Sequence, residues 1–210
     1  MKAADLPTYY NICEILEHNL EHRGDKIALL SENGSFTFRE VSEQVNRVGN
    51  ALIRSGVQFG ECVAILCPDR PEWVSVFFAT AKIGGVALGL NTLLKTDEYD
   101  YILKDARVKV LVVHDSLKAL VEPIIKKHDT LIKVITVTDN KSIKCTTFTD
   151  WIDGEESELD SATTHREDFC SLHYSSGTTG VPKGILHMHK DYPLIAQLSG
   201  VDLFGIAEND

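Results

Sequence analysis

The chain is poor in positive charge. Its 210 residues carry 21 lysines and arginines against 31 aspartates and glutamates, a formal net charge of −10. An acidic surface argues against a nucleic-acid partner and against docking on an anionic membrane. Any anionic ligand must therefore be held by a local feature. Long apolar runs are also missing. The longest, around Phe77 to Leu90, is broken by Lys82, Gly84 and Gly85 and cannot span a bilayer. Met1-Lys2-Ala3-Ala4-Asp5-Leu6-Pro7 has an early lysine but no apolar run behind it, so no signal peptide is expected. The five cysteines, at 13, 62, 67, 145 and 170, are odd in number and show no C-x-x-C spacing. That excludes the usual zinc and disulfide frameworks and leaves reduced thiols in a cytoplasmic protein as the expectation. None of the eight histidines has H-E-x-x-H spacing, and no internal repeat is visible. What remains is a chain with an ordinary hydrophobic share of 43%. Its length suits one domain, or one lobe of a larger one.

The apolar periodicity is that of an α/β protein. Asn11 to His22 has helical spacing at Ile12, Ile15, Leu16 and Leu20. Lys26 to Ser31 and Ser35 to Phe38 flank an Asn33-Gly34 turn signal and read as paired strands. Phe38 to Ser55 is an amphipathic helix with Val41, Val45, Val48, Leu52 and Ile53 on its buried face, closed by Gly56. Strands then alternate with helices: strand 61–67, helix 71–83, strand 86–90, helix 96–107 with Thr96 as N-cap, strand 108–113, helix 115–127 and strand 133–137. This pattern predicts βαβ units, hence a mainly parallel sheet with helices on both faces. Trp73, Phe77 and Phe78 fall on a helix and are expected in the core. Residues 153–168 carry seven acids and read as an exposed linker.

The most specific feature is Tyr174-Ser175-Ser176-Gly177-Thr178-Thr179-Gly180-Val181-Pro182-Lys183-Gly184. Its glycines allow tight turns that expose backbone N–H groups, four hydroxyls add donors, and Lys183 adds a mobile cation. This is what a polyphosphate requires. It is not a Walker A loop, in which glycine precedes the lysine and Ser or Thr follows it. Here Pro182 precedes Lys183 and Gly184 follows. Pro182 donates no N–H, so the helix N-terminus of a Walker A site is not expected. The flanks, 169–174 and 185–189, alternate apolar and polar residues and predict strand, loop, strand. Tyr174 is expected to pack the base of the loop. His187 and His189 alternate and should share a strand face, but no third metal ligand is evident, and no metal site is expected.

Tyr174 to Gly184, with His187-Met188-His189 behind it, resembles the signature of the adenylate-forming, AMP-binding enzymes. That family includes acyl-CoA synthetases, adenylation domains of peptide synthetases and luciferases. The likeness extends to Gly24-Asp25-Lys26-Ile27-Ala28, Phe36 to Val41, Asn91-Thr92-Leu93-Leu94 and Tyr101 to Asp105. Thr8-Tyr9-Tyr10-Asn11, Asn91 to Leu94 and Leu203-Phe204-Gly205-Ile206 are most similar to the benzoate–CoA ligase branch.

The resemblance implies an α/β fold that forms the first half of the family's large N-terminal domain. Residues 8–150 would be its βαβ part, 151–168 an acidic linker and 169–210 the phosphate-loop segment. It implies ATP, Mg2+ and coenzyme A as cofactors and a small carboxylic acid, aromatic and benzoate-like, as substrate. Thr178, Thr179 and the backbone of Gly177 and Gly180 would be the main phosphate donors, Ser175 and Ser176 further donors, and Lys183 the partner of the terminal phosphates. The family's catalytic lysine belongs to a C-terminal domain that this chain does not contain, so no catalytic residue is expected within it. Two alternatives stay open: an adenylation domain that loads a carrier protein, and a non-catalytic nucleotide-binding fragment. A sheet cut at an edge would also be expected to self-associate.

Overall fold

The computed structural model describes residues 5–32, 34–140, 145–175 and 181–207. Two short helices, α1 (Glu14–Glu17) and α2 (Leu20–Arg23), come first. A hairpin of β1 (Ile27–Ser31) and β2 (Gly34–Thr37) leads into the long α3 (Phe38–Arg54). There follow β3 (Cys62–Leu66), α4 (Pro71–Lys82), β4 (Val86–Gly89), α5 (Thr96–Asp105), β5 (Val110–His114), α6 (Asp115–Ile125) and β6 (Lys133–Val137). The chain continues through α7 (Phe148–Ile152), β7 (Phe169–Ser175), β8 (Lys183–Met188), α8 (Asp191–Ile195) and a π-helical stretch, Ala196–Leu203.

Six strands form one sheet in the order β6-β5-β3-β4-β7-β8. All neighbours are parallel except β7 and β8, which run antiparallel. The central strands β3, β4 and β5 are near-continuous apolar runs because both faces are covered. Val63, Ile65, Ala87, Val110, Val112 and Ile135 point into one core with α3, α4 and α7. Ala64, Leu66, Leu88, Leu111 and Val113 point into a second core with α5 and α6. Each buried valine, leucine or isoleucine among them contributes about 1.5–3 kcal/mol of transfer free energy. The expected mainly parallel sheet with helices on both faces is what these residues build.

Several local expectations are corrected. The helix expected over 11–22 is split. The Asn19 side-chain amide donates to the Ile15 carbonyl (2.7 Å), and the Asn19 backbone N–H turns to Leu16 O instead (3.2 Å). A side chain that takes the i−4 acceptor in this way interrupts the ladder. Ile53 is half exposed, whereas Val41, Val45, Val48 and Leu52 are buried. Lys95, not Thr96, is the N-cap of α5. Its N–H donates to Glu98 Oε2 (2.9 Å), while the Thr96 hydroxyl reaches across to Leu120 O (2.8 Å). The hairpin–α3 junction carries a full capping box: Thr37 N–H donates to Glu40 Oε2 and Glu40 N–H to Thr37 Oγ1 (2.8 and 3.2 Å).

The acidic stretch is pinned along α3 rather than detached. Asn46 and Asn50 donate to the carbonyls of Ser157, Glu156 and Glu158 (2.8–3.1 Å). Leu159 lies over Gly49, in the space that an added Cβ would fill. Thr164 is buried, and its carbonyl accepts from Tyr10 N–H (3.0 Å).

Candidate functional site

In open α/β sheets, ligands bind beyond the carboxyl ends of the strands, where neighbouring strands send their connections in opposite directions. Here β3 feeds α4 on one face and β4 feeds α5 on the other. The switch point therefore lies between β3 and β4. A cleft of about 560 Å³ opens there, lined by Cys67, Trp73, Leu90, Asn91, His173 and Tyr174 among others. Trp73 comes from α4, stacks on Phe77 (centroids 5.3 Å apart) and presses against Gly89. A Cβ at position 89 would lie 3.1 Å from Trp73 Cζ2. The expectation that Trp73 is core holds for one of its faces only. Tyr99 OH donates to Asn91 O (2.8 Å) and Asn91 Oδ1 accepts from Leu93 N–H (2.9 Å), which fixes the loop after β4. Cys67 is buried, and burial pushes its thiol up to about 12, so it is no thiolate nucleophile.

The hydroxyl-rich segment leaves the sheet beside this cleft. It runs from β7 to β8, and the antiparallel register sets Tyr174 opposite Gly184 and Ser175 opposite Lys183. Both expected flanking strands are found, and Lys183 opens strand β8 rather than a helix. Ser176, Gly177, Thr178, Thr179 and Gly180 lie outside the described residues. Ser175 and Lys183 are both exposed at the strand ends, on the carboxyl-terminal edge of the parallel sheet. A hydroxyl and a cation on paired strands, facing solvent beside a cleft, suit a polyphosphate.

Each face of the β7–β8 stem is braced. On one, Ser171 Oγ and Tyr192 OH are hydrogen-bonded at 2.6 Å, and His173 Nε2 lies 3.4 Å from both oxygens. The His173 ring meets the His187 ring edge-on (centroids 5.4 Å apart). Burial first, and His187 second, hold the His173 imidazole below the usual histidine range. On the other face, Tyr174 OH donates to Asp105 Oδ2 (2.5 Å). His187 and His189 do not act as a pair. β8 ends at Met188, His187 packs on His173 and Tyr192, and His189 is buried with its Nδ1 accepting from Ile12 N–H (3.1 Å). Among the described residues, no group of three or more His, Cys, Asp or Glu could hold a metal ion, and no helix is long and apolar enough to cross a membrane.

The motif in the sequence marks the loop but not its surroundings. Asp105, Trp73 and Asn91 reach the site only through the fold, from 69 residues away in the case of Asp105 and Tyr174. No spacing in the sequence ties them together.

Comparison with known proteins identifies the family. The family model described as AMP-binding enzyme matches residues 16–209. A benzoate–CoA ligase from Thauera aromatica is 33% identical over 99% of this chain and 40% of its own length. A 3-hydroxybenzoate/4-hydroxybenzoate–CoA ligase of the same organism is 32% identical over 89% of this chain and 36% of its length. Among solved structures, an anthranilate CoA ligase in complex with anthranoyl-AMP superposes with a TM-score of 0.95 at 50% identity, over 99% of this chain and 40% of that one. A benzoate CoA ligase from Burkholderia xenovorans LB400 gives 0.86 at 26% identity, over 96% and 39%. This chain thus spans about 40% of the length of the relatives it matches. On its sequence and its fold, the chain belongs to the AMP-binding enzyme family.

Proposed function

We propose that this chain is the phosphate-binding part of an aromatic-acid–CoA ligase. The observation that carries the reading is the pairing of Ser175 with Lys183 at the sheet's carboxyl-terminal edge, on the two stems of the Ser-Ser-Gly-Thr-Thr-Gly loop. The reaction has two parts. A carboxylate oxygen attacks the α-phosphorus of Mg-ATP, forming an acyl-adenylate and expelling pyrophosphate. The thiol of coenzyme A then attacks the acyl carbon, forming the thioester and releasing AMP.

This chain's own residues serve the first step. Ser175, Ser176, Thr178 and Thr179, with the N–H groups of Gly177 and Gly180, hold the β- and γ-phosphates. Lys183 neutralises the charge that grows on the leaving pyrophosphate. Such groups act by positioning and by stabilising charge where it develops. Mg2+ enters as the ATP complex. The aromatic character of the acid is supported by what the relatives act on: benzoate and hydroxybenzoates, and anthranilate in the 50%-identical neighbour. Of these, a 2-aminobenzoate-type acid is our first choice.

Calorimetric titration with Mg-ATP tests the reading, with wild type beside Lys183→Ala and Thr179→Ala. The expected result is saturable binding that both substitutions weaken while the unfolding midpoint stays put. A folded wild-type chain that binds no Mg-ATP, or a Lys183→Ala variant that binds as well as wild type, rejects it.

A further inference from the structure

Asp105 breaks a local rule. It is the last residue of α5, where the helix dipole disfavours a carboxylate. Yet the backbone there is carefully terminated. Arg107 takes a left-handed conformation (φ 49°), its N–H donates to Lys104 O (3.1 Å), and Val108 N–H donates to Leu103 O (3.1 Å). This is a Schellman closure with a residue other than glycine in the strained position. It places Asp105 firmly, and the partner Asp105 meets is the Tyr174 hydroxyl at 2.5 Å.

Tyr174 reaches Asp105 by laying its ring across Gly184, its cross-strand partner. A Cβ at 184 would lie 3.4 Å from Tyr174 Cζ and 3.0 Å from Leu172 Cδ1. The last glycine of the motif is thus the floor under the phenol. The next pair up the ladder is Ser175 and Lys183, from which the loop springs. Burial first, and then the Asp105 hydrogen bond, push the phenol's ionisation up, so it stays a donor throughout the working pH range.

We propose that Tyr174 and Asp105 are a positioning pair that ties the stem of the phosphate loop to the end of α5 and so aims Lys183 at the terminal phosphates. The inference rests on the phosphate-binding reading above. The role assigned here gives neither residue a contact with the nucleotide. They act through the Tyr174–Gly184 rung on the Ser175–Lys183 rung. Because α5 follows the loop that lines the cleft, the pair also joins two walls of the site.

The test measures the affinity of this chain for Mg-ATP and for AMP by calorimetry, together with unfolding midpoints. Tyr174→Phe keeps the ring and loses the hydroxyl. Asp105→Ala removes the acceptor, and Asp105→Asn retains one. Tyr174→Phe and Asp105→Ala are expected to weaken Mg-ATP about tenfold, the scale of one hydrogen bond to a charged group. Affinity for AMP, which lacks the phosphates Lys183 would meet, should hold, and Asp105→Asn should recover most of the loss. In a Lys183→Ala background, Tyr174→Phe should add little. Equal losses for ATP and AMP, or losses that only follow the unfolding midpoint, would make the pair merely structural and overturn the proposal. If Lys183→Ala weakens Mg-ATP while Tyr174→Phe does not, the positioning role falls and the phosphate-binding reading stands. If wild type binds no Mg-ATP, both fall.

Discussion

The backbone N–H of Ile12 donates to Nδ1 of His189 at 3.1 Å across 177 residues of sequence. That bond closes the N-terminal segment onto the chain just past the β7–β8 hairpin. His189 is fully buried, and burial lowers its ionisation to about 4. Nδ1 must be unprotonated to accept, so the ring carries its proton on Nε2.

The consequence is a pH dependence with a definite sign. The unfolded chain takes up this proton near pH 6.5 and the folded chain only near 4. Between those values the unfolded state binds more protons, so stability is full above pH 6.5 and falls as pH drops towards 4. One group contributes a slope of at most about 1.4 kcal/mol per pH unit. Replacement by Asn retains an acceptor near Nδ1 but cannot titrate. Urea unfolding from pH 7 to 4.5 should show a shallower fall for His189→Asn than for wild type. Parallel curves would show that His189 does not carry the effect.

A second prediction concerns Lys82, a buried ammonium at the end of α4. Its Nζ donates to Glu17 Oε1 (2.5 Å) and Asn46 Oδ1 (2.6 Å). The two partners are not equivalent, since Glu17 is about a third exposed and Lys82 only 3%. Removing Glu17 strands a buried charge, whereas removing Lys82 leaves a carboxylate that water can reach. Glu17→Leu should therefore cost roughly 2 kcal/mol or more, and Lys82→Met distinctly less. Chemical denaturation of the two variants measures the difference, and a larger loss for Lys82→Met would contradict it.

Much of this architecture was legible in the sequence because its signals are local. Cys62–Leu66 and Val110–His114 are mainly apolar runs of strand length, and Val41, Val45, Val48 and Leu52 recur at helical spacing in α3. The same locality explains the failures. Nothing in the periodicity of 11–22 reveals that Asn19 will take the Ile15 carbonyl. Leu159 lying over Gly49, which turns an acidic stretch into a pinned segment, is a contact across 110 residues. Of the site, the Ser/Gly/Thr loop and Lys183 stood out by composition. Its supports did not, since Asp105 reads as an ordinary helical acid until the fold sets it beside Tyr174.

The edge of the sheet gives a third prediction. Among the described residues β8 pairs only with β7, and its Ile185 and Leu186 are about half exposed. Phe204 and Leu203 beyond α8 are about three-quarters exposed. An unblunted apolar edge strand is a template for association. Sedimentation velocity at rising concentration should show self-association of this chain, reduced by Ile185→Lys. A monodisperse monomer throughout the micromolar range would count against it.

The last prediction isolates Gly184. Alanine there suits a strand better than glycine does in the abstract, because it restricts the unfolded chain. In this place its Cβ would sit 3.0 Å from Leu172 Cδ1 and 3.4 Å from Tyr174 Cζ. Leu172 is held in the second core, so the side chain that can give way is Tyr174, and moving it stretches the bond to Asp105. Overpacking of this kind costs about 1–3 kcal/mol. Gly184→Ala should therefore destabilise the chain despite its better propensity. The cost should shrink in a Tyr174→Ala background, where the ring no longer occupies the space. A double-mutant cycle by urea denaturation reads this directly. Equal costs in the two backgrounds would mean that the strand backbone, and not the phenol above it, requires the glycine.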